Sequence, residues 1–245
     1  MKQYAVLWTT LITLLAAGHS QAQLGGPELE SPMLKAGEWK KLFGDVNAFT
    51  ATCDMRILAK GEKTPTTMVM KMSYLEGKMR TDMDMAQMQS PDLPPQAVQQ
   101  MKQMGMDKMT GIMLPETKKM LLIYPGLQGY VEMPLPKDEV AALEKEPKIE
   151  KTPLGKETLN GQACVKNKVV ITDAAGKQQE LTVWNATSLK EFPVKVETAF
   201  EDRAVTIHYK DVNLGKPDSK QFEPPSGFAK HNDLQQLIMK KMLGQ

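Results

Sequence analysis

Between Thr66 and Met85 the chain reads TTMVMKMSYLEGKMRTDMDM, alternating apolar and polar residues, and six of its 19 methionines fall in this stretch. A period of two is the mark of a half-buried strand, because successive side chains point to opposite faces. A two-residue loop at Glu76 and Gly77 folds the run into a hairpin, with Tyr74 opposite Met79, Met72 opposite Thr81, Met70 opposite Met83 and Met68 opposite Met85. The other face then carries Lys71 beside Asp82 and Ser73 beside Arg80, an ion pair and a polar pair turned to water. A second hairpin, turning at Glu201 and Asp202, repeats the rule. It sets Val196 against Ile207 and Val194 against Tyr209 inside, and Lys195 against His208 outside.

The same pattern predicts further strands at 48–58, 119–124, 129–133, 163–172 and 180–185. Turn signals between them favour an antiparallel meander over βαβ units. Helical spacing appears in four places. Trp39, Leu42, Phe43 and Val46 form a stripe at i, i+3, i+4 and i+7; KDEVAALEKE is a charged helical stretch; PPQAVQQMKQM shows Val98, Met101 and Met104 on one side. The C-terminal NDLQQLIMKKML carries Leu234, Leu237, Ile238 and Met242 as a stripe, with Asn232 or Asp233 as cap and Lys240 and Lys241 at its negative end. The fold class predicted is β-dominated α+β. A curved antiparallel sheet forms a half-open barrel, and the last two helices cover its apolar concave face.

The first residues change the picture from shape to address. Lys2, the apolar run AVLWTTLITLLAA and the small residues of SQA mark a signal peptide over 1–22, cut near Ala22. Residues 23–36 follow as a flexible leader, 37–230 as one half-barrel domain with a helical lid insertion at 87–110, and 231–245 as an amphipathic C-terminal helix. The mature protein is expected to be periplasmic or secreted, monomeric, and peripheral at most to a membrane. Losing Lys2 leaves 30 basic residues (31 minus one) against 29 acidic ones, a balance that offers nucleic acid no basic patch. Export also makes a disulfide between Cys53 and Cys164 a candidate, since oxidising compartments preserve such bonds. Parity opposes it, for Cys53 alternates with Ala51 and Met55 whereas Cys164 alternates with Lys166 and Lys168.

The usual catalytic signatures are missing: the chain has no GxSxG, HExxH, GxxxxGK[ST] or GxGxxG. Of the two histidines beyond the signal, His208 and His231, the first is expected on a solvated strand face, and Asp82 and Asp84 alternate on a polar one. The NAT triplet at Asn185 is a formal glycosylation sequon of a kind that arises often by chance. No enzyme activity and no cofactor are therefore expected. Methionine is the feature left to explain. Thioethers suit copper(I), and Met101, Met104, Met106 and Met109 lie close together in MKQMGMDKM. Methionine is equally an adaptable apolar filler used on binding surfaces that accept ligands of differing shape.

The run LFGDVNAFTATCDMRI, with Leu42, Val46, Phe49, Ala51 and Met55, resembles the start of the LolA/LolB-like lipoprotein-carrier superfamily. VNLGKPDSKQFEPPSGF resembles its closing strand and PP.G turn, and YLEGKMR, LNGQACVKNKVVIT and FPVKVE resemble an uncharacterised family of methionine-rich exported bacterial proteins placed near it. The resemblance implies a half-open β-barrel whose helical lid encloses acyl chains. It also implies a basic residue near the mouth, for which Arg80 is the nearest candidate although it is expected on the polar face. The leading expectation is a binding protein for an acyl chain or other apolar ligand, with lipid or an acylated protein as partner. Its walls would be Met68, Met70, Met72, Tyr74, Met79, Met83, Met85, Val194, Val196, Ile207 and Tyr209. Its lid would use Val98, Met101, Leu234, Leu237, Ile238 and Met242. The alternatives are a methionine-based copper(I) site and a structural domain whose core is filled by its own side chains.

Overall fold

Glu76 and Gly77 both adopt positive φ, 51° and 94°, which is the geometry of a type I′ turn and the one whose twist suits a two-residue hairpin. This turn joins β2 (Thr66–Leu75) to β3 (Lys78–Asp84), and the register is as expected from Leu75–Lys78 through Tyr74–Met79 to Met70–Met83. In the computed structural model, which describes residues 34–200 and 202–243, the remaining strands build outward from this hairpin. The signal sequence and residues 23–33 of the leader lie outside the described residues. Lys35–Gln245 forms one compact unit.

Helix α1 (Ala36–Phe43) leads into β1 (Ala48–Ala59), which pairs with β2 on one side and with β11 (Arg203–Asn213) on the other. Beyond β3 come β4 (Lys108–Leu114), β5 (Lys119–Tyr124) and β6 (Gly129–Pro134). Beyond β11 come β10 (Phe192–Phe200), β9 (Gln178–Ala186), β8 (Gln162–Thr172) and β7 (Lys148–Leu159). Short β12 (Ala229–His231) adds to β6 in parallel, completing a single sheet in the order β12-β6-β5-β4-β3-β2-β1-β11-β10-β9-β8-β7. The sheet does not close: β7 and β12 are its edges. The class expected from the pattern, a β-dominated α+β fold on an open antiparallel sheet with helices covering it, is the one observed, apart from the one parallel pair among the described residues. Register shifts at Thr50/Thr52, Pro153/Gly155 and Pro193/Lys195 add twist and bend, as bulges do.

Helix α2 (Pro95–Gln103) lies between β3 and β4, α3 (Lys137–Glu144) connects β6 to β7, and α4 (Leu234–Met242) ends the chain. Since β6 and β7 sit near opposite ends of the sheet order, α3 carries the chain from one arm of the sheet to the other. It packs tightly on α1: a Cβ added at Gly37 would collide with the Ala142 carbonyl oxygen. Phe43 projects from α1 into an aromatic cluster, its ring centroid 4.8 Å from Phe49, 5.4 Å from Tyr74 and 5.6 Å from Phe192. Burial of these rings seats α1 on the inner face of the sheet, the face that carries Tyr74.

Several expectations change. β4, β7 and β12 lie outside the strands that the alternation predicts, and residues 108–110 of the expected helical insertion are strand. Met68 does not pair with Met85. The ladder ends at Met70–Met83, Asp84 caps a 3₁₀ turn by accepting from the Ala86 amide, and Met85 begins that turn. The second hairpin holds Val196–Ile207 and Lys195–His208 as expected, but its ladder starts at Lys195, leaving Val194 and Tyr209 beyond its end. Lys71 is the register partner of Asp82, yet the charge partner is Arg80, whose Nε and Nη2 grip the Asp82 carboxylate at 2.9 and 2.6 Å. The outer face is not uniformly wet either. Leu75, Ile112, Leu121 and Ile123 form a buried cluster there beneath Phe222, while Ser73 and Arg80 hydrogen-bond Gln221 in the same covering segment.

The Cys53–Cys164 bond does not form; both thiols are free and buried. Cys53 is on β1 and Cys164 on β8, with β11, β10 and β9 between them. Four strand spacings of about 4.8 Å make roughly 19 Å along the sheet, far beyond the reach of about 7 Å that a disulfide tolerates. Parity also turns them to opposite faces, Cys53 sharing its row with Met70 and Tyr209.

Candidate functional site

The inner face divides into two parts that the helices fill differently. Over β1, β10 and β11 the cover is α1. Here Val194, Val196, Ile207 and Tyr209 are buried, and Tyr209 meets Trp39 edge-on at 6.2 Å. All four expected wall residues are thus buried, Tyr209 against Trp39 and Phe43 of α1. Burial raises the Tyr209 hydroxyl pKa well above its ordinary range and pushes the Cys53 thiol up to about 12, so neither supplies an anion to the site at neutral pH.

Over β2 to β6 the cover is α2 and α4. Met70, Met72 and Tyr74 are buried, whereas Met68, Met79 and Met83 are half-buried. Strand pairing then extends the methionine wall further than the first hairpin. Met79 is the partner of Met113, Met113 of Met120, and Met120 of Met133, so four methionines from four successive strands stand in one row. All four are half-buried. Three spacings of about 4.8 Å make this strip roughly 14 Å long. It continues on its inner end into Tyr74 and Phe49, which close it against the aromatic cluster. Met113, Met120 and Met133 join this row although the alternation does not single them out. The signal was the period-two spacing of Met109, Gly111 and Met113, masked because the alternate positions Thr110 and Ile112 are also buried.

Beside the strip, further along the same strands, lies an apolar cluster of Met85, Met88, Met101, Met106, Tyr124, Val131 and Leu237. Met68, Val98, Met104, Met109, Leu234 and Ile238 pack against it half-buried. The lid residues expected from the sequence thus meet in one place; the Met242 side chain lies outside the described residues. Backbone closeness pins both covers. A Cβ on Gly126, in the turn after β5, would collide with the Gly105 carbonyl oxygen just beyond α2, and a Cβ on Gly129 would collide with Leu237 Cδ1 on α4. Asp233 caps α4 by accepting from the Gln236 amide at 2.7 Å. A depression of about 450 Å³ opens on the outward side of α4 around Gln236, Met239 and Leu243, away from the sheet.

Polar chemistry on this face is sparse. Tyr124 ends β5 inside the methionine cluster, 1% exposed, and its hydroxyl pKa is pushed up to about 12 by burial. Arg80 lies on the outer face in its grip on Asp82, which separates it from the lid. His208 is half-buried, and its pKa is lowered by desolvation first and by the neighbouring Lys195 and Lys210 charges next. Among the described residues no group of three or more His, Cys, Asp or Glu side chains converges on a metal-sized site. No helix among them is long and apolar enough to cross a membrane.

No family model matches this chain, and no curated protein matches its sequence. Among solved structures, it is similar to the lipoprotein LppX of Mycobacterium tuberculosis at 8% identity and a TM-score of 0.40, covering 73% of this chain and 92% of that one. It is similar to LprF of Mycobacterium bovis at 13% identity and a TM-score of 0.40, covering 79% and 99%. A LolA superfamily protein of Nitrosomonas europaea aligns at 9% identity and a TM-score of 0.33, covering 78% and 98%.

Proposed function

We propose that this chain is an exported, non-enzymatic binding protein that holds an acyl chain or another apolar ligand on the inner face of its open sheet. The observation that carries the reading is the row Met79, Met113, Met120 and Met133, half-buried where a finished core would be dry. Unbranched thioether side chains adapt their shape at little cost, which suits a wall that must receive a flexible chain. Each Å² of apolar ligand surface removed from water would contribute about 25 cal/mol, so affinity follows from area without a charged anchor. Export rests on residues 1–22, and the partner proposed is lipid or an acylated protein. Wild-type protein titrated with N-phenyl-1-naphthylamine should show saturable fluorescence that oleate displaces. Met113→Glu with Met120→Glu places two carboxylates in the strip and should weaken both ligands by about tenfold or more, given the cost of desolvating charge. Absence of saturable binding by the wild type, with no lipid extracted from protein purified from its own host, would overturn the reading.

A second reading takes support from the packing of Met101, Met104, Met106 and Met109 into one cluster with Met85 and Met88. Thioethers in such a group are soft ligands for copper(I). Competition against a copper(I) chelator decides it: changing Met101, Met104, Met106 and Met109 to leucine keeps the volume and removes the sulfur. Equal copper affinity in the two proteins removes this reading.

A further inference from the structure

Among the described residues, the Tyr124 hydroxyl is the buried side-chain oxygen that has no hydrogen-bond partner. The other buried polar groups show how completely this fold satisfies such atoms elsewhere. Asn167 donates to Asn185 at 2.9 Å, Asn185 donates to the Glu191 carbonyl at 2.6 Å, Ser73 donates to Gln221 at 3.3 Å, and Glu38 accepts from the Lys35 amide at 2.7 Å. A hydroxyl left unpaired in an apolar interior is a net cost to the fold, and a phenylalanine would fill the same space without it. Tyr124 shares its cluster with Met85, Met88, Met101, Met106, Val131 and Leu237, whose thioethers are weak acceptors and whose other side-chain atoms are none, and the His231 ring that lies against Gly129 does not bond the hydroxyl.

The position of this oxygen is specific. Tyr124 faces Gly129 across the β5–β6 hairpin, and Leu237 of α4 sits directly on Gly129. Tyr124 therefore lies in a cluster to which both covering helices contribute, Met101 from α2 and Leu237 from α4, and movement of either helix opens it.

Resting on the function proposed above, we infer that the Tyr124 hydroxyl is the polar anchor of the site. It donates a hydrogen bond to an acyl oxygen of the ligand, a carboxylate or an ester carbonyl, while the chain replaces the thioethers packed around it. The anchor would discriminate acyl lipids from plain hydrocarbons and aromatics that fill the same space.

Tyr124→Phe tests this with three probes: oleate, 1-oleoyl-lysophosphatidylcholine and N-phenyl-1-naphthylamine, the last having no acyl oxygen. The variant should bind the acyl probes about fivefold more weakly, the worth of one hydrogen bond, and the naphthylamine as the wild type does. Without ligand it should melt at the same temperature or higher, because an unpaired hydroxyl has been removed. Weakening of oleate alone assigns the carboxylate as acceptor; weakening of both assigns the acyl carbonyl chemistry they share. Equal affinity of the two proteins for both acyl probes overturns the anchor and leaves the proposed function standing. A lower melting temperature with all three probes weakened equally also overturns it, because the hydroxyl is then structural. Failure of the wild type to bind any of the three overturns both.

Discussion

Phe43→Ala should lower stability by about 3–5 kcal/mol, the usual cost of emptying a large aromatic from a core. The expectation is at the upper end because the ring is 1% exposed and stacks on Phe192 at an interplanar angle of 4°, while also meeting Trp39, Phe49, Tyr74 and Tyr209. Those partners come from α1 itself, β1, β2, β10 and β11, so the hole left behind cannot collapse without moving strands on both sides of β1. Urea denaturation followed by tryptophan fluorescence measures the loss. A change below about 1 kcal/mol, the level of an ordinary surface substitution or a little above, would show that α1 is not seated on the inner face. At about 2–4 °C per kcal/mol for a chain of this length, the melting point should fall by roughly 10 °C.

Leu237→Asp should release α4 from the sheet. Leu237 is 2% exposed and packs directly on Gly129 beside the buried His231 ring, so a carboxylate there is taken out of water with a single imidazole near it unless the helix leaves. Loss of the buried leucine alone costs about 2–5 kcal/mol, more than a nine-residue helix can recover from its own hydrogen bonds. The exposed Lys240 and Lys241 should then be cut by trypsin faster than in the wild type. The functional consequence separates lid from core. If α4 is a lid, the variant binds N-phenyl-1-naphthylamine faster and at least as tightly; if α4 is permanent filling, stability falls and probe binding does not rise. The second result would favour a domain filled by its own side chains.

Local rules explain why some elements were legible and others were not. The hairpin at Glu76 and Gly77 was readable to the residue because turn type and alternation agree, and its register extends correctly to Met70–Met83. The pairing failed one step later, where Asp84 caps a turn that no periodicity announces. β4 escaped because KMTGIML carries apolar residues on both parities: Met113 faces inward and Ile112, fully buried, faces the cluster under Phe222. β7 escaped for the opposite reason. It is an edge strand exposed along nearly all its length, so KIEKTPLGKETL had no buried face to alternate with.

The same division holds for the site. Methionine periodicity alone places Met70, Met72 and Met79 on one face, and helical spacing identifies Leu237 as a residue seeking cover. What the wall is made of beyond β3 depends on which strands are neighbours. Met113, Met120 and Met133 are separated from Met79 by helix, turn and strand in the chain and join it only through the pairing of β3, β4, β5 and β6. Likewise the parity of Cys53 and Cys164 argues against a bond, but their four-strand separation is a property of sheet order. Sequence by itself determined the β-dominated class, the two hairpins, the covering helices and the apolar parity of the first methionines, because turns and periodicities act over a few residues. Only the tertiary structure decided where α1 fills the inner face, that the methionine row crosses four strands, and that Tyr124 ends among thioethers with its hydroxyl unpaired, because those facts depend on residues distant in the chain meeting across the sheet.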